Sequence, residues 1–112
     1  MLKYLFETKT LLGDTVYRII AGAPYEMLCN ISMSYLSRPD EVAETIAKIE
    51  EVIAGTRDGW GWGEDDCAFS SEADLTYINY DFDQHMITIP TAEILQLLRD
   101  WLAYLQQQPQ AA

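Results

Sequence analysis

The sequence predicts an α+β fold: an antiparallel sheet of about five to six strands with two amphipathic helices packed on one face. Three observations predict it. Short β-branched and aromatic runs bounded by turn residues occur near the start of the chain and again past its middle. Two longer segments repeat apolar residues at helical spacing. The late connections are of hairpin length, which favours antiparallel pairing over alternating βαβ units. The chain has 112 residues, room for one core, and at that size it buries roughly two-thirds of its unfolded surface without staples. A single domain over residues 1–105 is expected, followed by a frayed polar tail at 106–112.

The elements follow in order. Leu2 to Thr8 reads as a strand, with a short helix as the alternative, and Leu12-Gly13-Asp14 as a turn. Thr15 to Ile20 (T-V-Y-R-I-I) is β-branched enough for a second strand, broken by Ala21-Gly22-Ala23-Pro24. Tyr25, Met27, Cys29, Ile31, Met33 and Tyr35 are apolar at every second position, with Leu28 and Leu36 spoiling the polar face. A period of two over that length predicts a strand with one face on the core. Ser37-Arg38-Pro39-Asp40 starts a helix: Ser37 can cap, Pro39 suits the first turn, and Asp40 and Glu41 complement the dipole. Val42, Ile46, Ile49 and Ile53 form its stripe, and Gly55 stops it.

Residues 57–66, R-D-G-W-G-W-G-E-D-D, then read as a loop. If that segment is extended, one tryptophan ring is expected inward as a plug for the core and the other outward. Cys67 to Ser71 and Leu75 to Tyr80 are short strands, and Met86 to Ile89 pairs with the latter across D-F-D-Q-H. Thr91 is a good N-cap for the last helix, with Glu93 in its first turn. Ile94, Leu95, Leu98, Trp101, Leu102 and Leu105 make its apolar stripe.

Composition excludes several functions. Cys29 and Cys67 have neither a disulfide framework nor zinc spacing around them. The N-terminal apolar run is too short for a signal peptide, and nothing approaches the ~20 apolar residues of a membrane helix. A cytoplasmic protein with no membrane partner is therefore expected. Eighteen acidic residues face seven basic ones, for a formal net charge of −11. Between Arg57 and Arg99 there is no lysine or arginine, while acids recur throughout. Such an interval projects a negative field that repels nucleic acid and steers basic partners.

Catalytic constellations are sparse. Cys29 lies on an apolar face, and Cys67 follows Glu64-Asp65-Asp66, whose charge disfavours a thiolate. Asp81-x-Asp83-x-His85 offers three metal-capable side chains, but it lacks the glycine and terminal glutamate of a calcium loop and sits where a hairpin turn wants aspartate. G-W-G-W-G lacks the lysine and placement of a phosphate loop. No catalytic, cofactor or metal residue is assigned, and no cofactor is expected.

Recognition of another protein remains, because tryptophan and tyrosine anchor interfaces and surrounding acids speed encounter with a basic partner. The residues expected to contact it are Trp60, Trp62, Glu64, Asp65, Asp66, Glu72, Asp74, Tyr80, Asp81 and Asp83.

From Asp40 to Leu105 the organisation is a helix ending E-E-V-I-A-G, the W-G-W-G-E-D-D segment, two late strands with an acidic hairpin, and a closing P-T-A-E-I-L-Q-L-L-R-D-W-L-A-Y-L helix. In this it resembles immunity proteins of bacterial polymorphic toxin systems, including those of contact-dependent growth inhibition. The resemblance implies a non-enzymatic antidote, a monomer or weak dimer when free, that binds a toxin domain, often a nuclease, and blocks its active site or substrate groove. An acidic adaptor or regulatory subunit is the alternative, followed by a small carboxylate- or metal-dependent enzyme.

Overall fold

The computed structural model describes residues 2–33, 35–64, 67–81 and 84–108, except for the side chains of Leu11 and Glu64. It begins with a hairpin. Strand β1 (Tyr4–Leu11) pairs antiparallel with β2 (Asp14–Ala21), Tyr4 opposite Ala21 and Leu11 opposite Asp14. Leu12 and Gly13 turn the chain at φ of 52° and 86°. Both are left-handed, as a two-residue hairpin turn of the twist-matched type requires.

The segment that follows is a helix where the alternation predicts a strand. Helix α1 runs Met27–Met33. The physical reason lies in the two residues that spoil the alternation. Leu28, Ile31 and Ser32 are the buried ones within it, spaced as one side of a helical turn rather than as one face of a pleat, and Leu36 is buried beyond the helix end, its amide on the Ile31 carbonyl at 3.1 Å. Ser32 ties the helix to the hairpin: its hydroxyl donates to the Cys29 carbonyl at 2.7 Å and accepts from the Ile19 amide at 2.9 Å.

Helix α2 (Pro39–Ala54) has the predicted proline start and acidic first turn. Its N-cap is Arg38 rather than Ser37, with no side-chain cap, and the Arg38 guanidinium instead grips Asp40 at 2.7 Å. Gly55 ends the helix at φ 83° while the Thr56 amide bonds back to the Glu51 carbonyl, the left-handed glycine stop. Val42, Thr45, Ile49 and Val52 face inward, so Val52 takes the place expected of Ile53, which is exposed.

Four antiparallel strands follow in sequential order: β3 (Trp60–Glu64), β4 (Cys67–Ser71), β5 (Leu75–Tyr80) and β6 (His85–Pro90). The α+β class and the six strands hold, but the strands divide between a two-stranded and a four-stranded sheet, and there are three helices among the described residues. The tryptophan segment, expected as a loop, is the edge strand of the larger sheet. Phe69, Ile78, Ile87 and Ile89 lie buried on one face of it. Helix α3 (Thr91–Gln107) packs on β5, β6 and α2, and α2 in turn reaches β3. It extends past Leu105, so the polar tail begins later than expected.

Two polar devices pin this core. Trp101 is fully buried and its indole N–H donates to the Leu36 carbonyl at 2.8 Å. Ser71, Thr76 and Thr91 are also fully buried and form a hydroxyl chain. The Thr91 hydroxyl donates to the Glu72 carbonyl at 2.6 Å. It must therefore accept from Thr76, which accepts from Ser71, so every hydroxyl proton in the chain has an acceptor. Thr91 thus serves as a strap for the β4–β5 turn, while Pro90 occupies the N-cap position expected of it.

Candidate functional site

Alternation decides where the tryptophans go. Residues two apart on a strand share a face, so W-G-W-G puts both rings on the face that carries Phe69 and Ile78. The expected split, one ring in and one out, does not occur: Trp60 and Trp62 are both half-buried against the core. Trp62 lies between two rings, 4.3 Å from Tyr35 at 19° and 5.8 Å from Phe69 at 2°. Trp60 meets Phe69 edge-on at 6.4 Å. The Trp62 indole nitrogen is buried without a hydrogen-bond partner among the described residues.

The glycines serve the pairing. A Cβ at Gly61 would stand 2.3 Å from the Phe69 carbonyl oxygen, inside any permissible contact. Gly61 is there because β3 and β4 approach too closely for a side chain, which is one of the recognised uses of glycine in a strand.

The expected contact residues fall at two ends of the sheet. The β3–β4 and β5–β6 turns share one end, since Glu64 pairs with Cys67 and Cys67 with Tyr80. The Glu64 backbone, Tyr80 and Asp81 are brought together there, while Trp62 stands at the middle of β3 opposite Phe69. Tyr80 stacks on His85 at 5.3 Å, and His85 Nε2 lies 3.6 Å from Asp81 Oδ2. Asp65, Asp66 and Asp83 belong to these two turns by sequence and lie outside the described residues. Glu72 and Asp74 are at the opposite end, with Trp60, in the β4–β5 turn. Both are exposed, and their carbonyls hold the Thr91 hydroxyl and amide. The described acids among them thus divide between the two ends of the sheet.

Asp81 sits at φ 56°, a left-handed turn position that aspartate tolerates. No group of three metal-capable side chains occurs among the described residues, and neither Cys29 nor Cys67 is in a disulfide. Two features escape a sequence reading. Tyr35, expected on a strand face, becomes the outer leaf of the Trp62 stack. A cavity of 280 Å³ between the start of β1 and α3 is lined by Leu2, Tyr4, Ala92, Glu93 and Gln96. No local pattern could reveal it, because its walls are about ninety residues apart in the chain.

The electrostatics are simple. Every position from the start of β3 to the end of β6 is free of lysine and arginine. The larger sheet carries acids at both ends and His85 as its one candidate cation, whereas the hairpin carries Lys3, Lys9 and Arg18 against Glu7 and Asp14. No helix among the described residues is long and apolar enough to cross a membrane. No protein-family model matches this chain, and no curated protein or solved structure matches it at a significant level.

Proposed function

We propose that this protein is an immunity protein, a cytoplasmic antidote that binds a basic nuclease toxin domain and blocks it without chemistry of its own. The observation that carries this reading is the base-free stretch from Asp58 to Leu98, which contains the whole four-stranded sheet, and the acids at both ends of that sheet. Nucleases present cationic grooves to a phosphate backbone, and a one-signed acidic surface is complementary to such a groove and speeds encounter with it. Half-buried aromatic residues of this sheet, Trp62 and Tyr80, would supply the anchors on which interface energy concentrates. The resemblance in organisation over Asp40 to Leu105 supports the same reading.

Co-expression tests it. The neighbouring upstream reading frame should arrest growth when expressed alone and be tolerated when this protein is made with it. If that product is harmless by itself, the antidote reading fails, and an adaptor for a basic cellular partner takes its place.

A further inference from the structure

The two faces of the larger sheet differ in what they carry. Trp60, Trp62, Phe69, Ile78 and Ile87 lie on the side that meets the core. Alternation sends the intervening residues to the other side, and none of the apolar residues there belongs to the core or packs against it. The middle row of this outer face runs Gly61, Ser70, Tyr77 and Thr88 across the four strands. Leu75 and Met86 flank that row, 37% and 60% exposed, and Tyr77 is half-buried within it. No outward position of β3, β4, β5 or β6 carries a charge. The exposed sides of the other sheet and of the two long helices all do: Lys9 and Asp14 on the hairpin, Glu44 and Glu50 on α2, Arg99 on α3. Charge returns only beyond the ends of the larger sheet's strands, with Glu72 and Asp74 exposed at one end and Asp81 at the other. A charge-free centre holding tyrosine and methionine inside a charged rim is the composition of a protein interface.

We propose that this outer face is the docking surface, and that its occupant is a protein whose own contact surface has an apolar centre edged by basic residues. The inference rests on the reading that the protein binds a basic partner, and it specifies the face. Charge selects the occupant, because Glu72, Asp74 and Asp81 border the face at both ends and attract a basic rim. Size argues the same way. Four strands of five to six residues make a face of roughly 15 by 20 Å, on the order of 300 Å². A stable interface takes about 800 Å² from each partner, so the occupant must reach past the face onto the acids. A second copy of this chain is the wrong occupant. Stacked with its strands aligned, it would bring its own acids against these, and each chain carries a formal charge of −11. Trp62 and Tyr80 lie on the opposite side, so they border this contact at the edge strand and at the β5–β6 end. Tyr77 is its centre.

The test uses the full chain, ¹³C-labelled at its methyl groups, and three synthetic peptides. The first is acetyl-Arg-Thr-Ile-Tyr-Ile-Thr-Arg-amide, long enough at roughly 23 Å to set its arginines at the two acidic ends. The second replaces both arginines with glutamate, and the third replaces Ile-Tyr-Ile with three serines. The first should shift the Ala68 and Leu75 methyl signals saturably and leave those of Leu5, on the hairpin, in place. The other two peptides should bind at least tenfold more weakly, as should the first when offered Tyr77→Ala. Equal binding by the glutamate peptide would overturn the basic rim. Equal binding by the serine peptide would reduce the effect to charge attraction and overturn the uncharged centre. No shift at Ala68 and Leu75 at millimolar concentration would overturn the face. Sedimentation of the parent should show a monomer; a dimer that Ser70→Arg dissolves would make a second copy the occupant. Ser70→Arg also separates this inference from the antidote reading. If that variant, shown folded by urea unfolding, rescues growth as fully as the parent, the docking face fails and the reading stands. A harmless upstream product defeats the reading and leaves the peptides to decide the face.

Discussion

Trp101 and Trp62 are the same residue in opposite circumstances. Trp101 is fully buried, packs against Phe6 at 5.3 Å and Tyr104 at 5.7 Å, and satisfies its N–H on the Leu36 carbonyl. Trp62 stacks just as closely, yet it remains half-buried on an edge strand and its N–H has no partner among the described residues. Burying an indole is favourable when both its faces and its one donor are accommodated, and a donor left without an acceptor costs roughly 1–3 kcal/mol. The first tryptophan is therefore positioned for stability. The second sits half-buried on an edge strand with its one donor left open.

The largest expected effect lies at the buried ring. Trp101→Ala should destabilise the protein by about 3–5 kcal/mol, since it opens a cavity and orphans the Leu36 carbonyl; urea unfolding measures it. A loss under ~1 kcal/mol would break the contrast. Next comes Gly61→Ala, expected to cost about 1–3 kcal/mol because the strands must part to admit the new carbon. Protection of the β3 amides against hydrogen exchange should fall in the same variant.

A third prediction concerns Tyr4, at the rim of the Trp101 cluster. Burial first, and the hydrogen bond to Asp100 second, push its phenol from 10.0 to about 12. The folded state therefore holds this proton more tightly than the unfolded chain does. The contribution is fully present below pH 10 and is lost as pH rises toward 12. Thermal melts of the parent and of Tyr4→Phe should diverge below pH 10 and converge across that window. The smallest effect is Trp62→Phe, which keeps a stacked ring and removes the orphaned N–H; it should change stability by less than ~1 kcal/mol in either direction. A loss as large as that of Trp101→Ala would mean that the two sites are equivalent.

Much of the fold was legible locally. Thr15–Ile20, Cys67–Ser71 and Leu75–Tyr80 carry β-branched or alternating patterns and are strands. Pro39, Asp40 and Gly55 bracket α2, because proline, acid and left-handed glycine act within one helical turn. The failures are also physical. Tyr25–Tyr35 satisfies a period of two, but the buried residues are Leu28, Ile31 and Ser32, which share a side only on a helix. The tryptophan segment looked like a loop because glycine is poor in strands. What makes it a strand is the tight approach of β4 at Gly61, a contact between residues eight apart.

The sequence by itself determined the α+β class and the base-free acidic interval. These depend on composition and on short periods, which any local window contains. Only the tertiary structure decided that the strands form two sheets and that the described acids divide between two ends of the larger one. Strand order depends on which distant segments meet: Ser32 with Ile19, Leu2 with Glu93. The energy of those meetings is realised only after the whole chain has closed on its core.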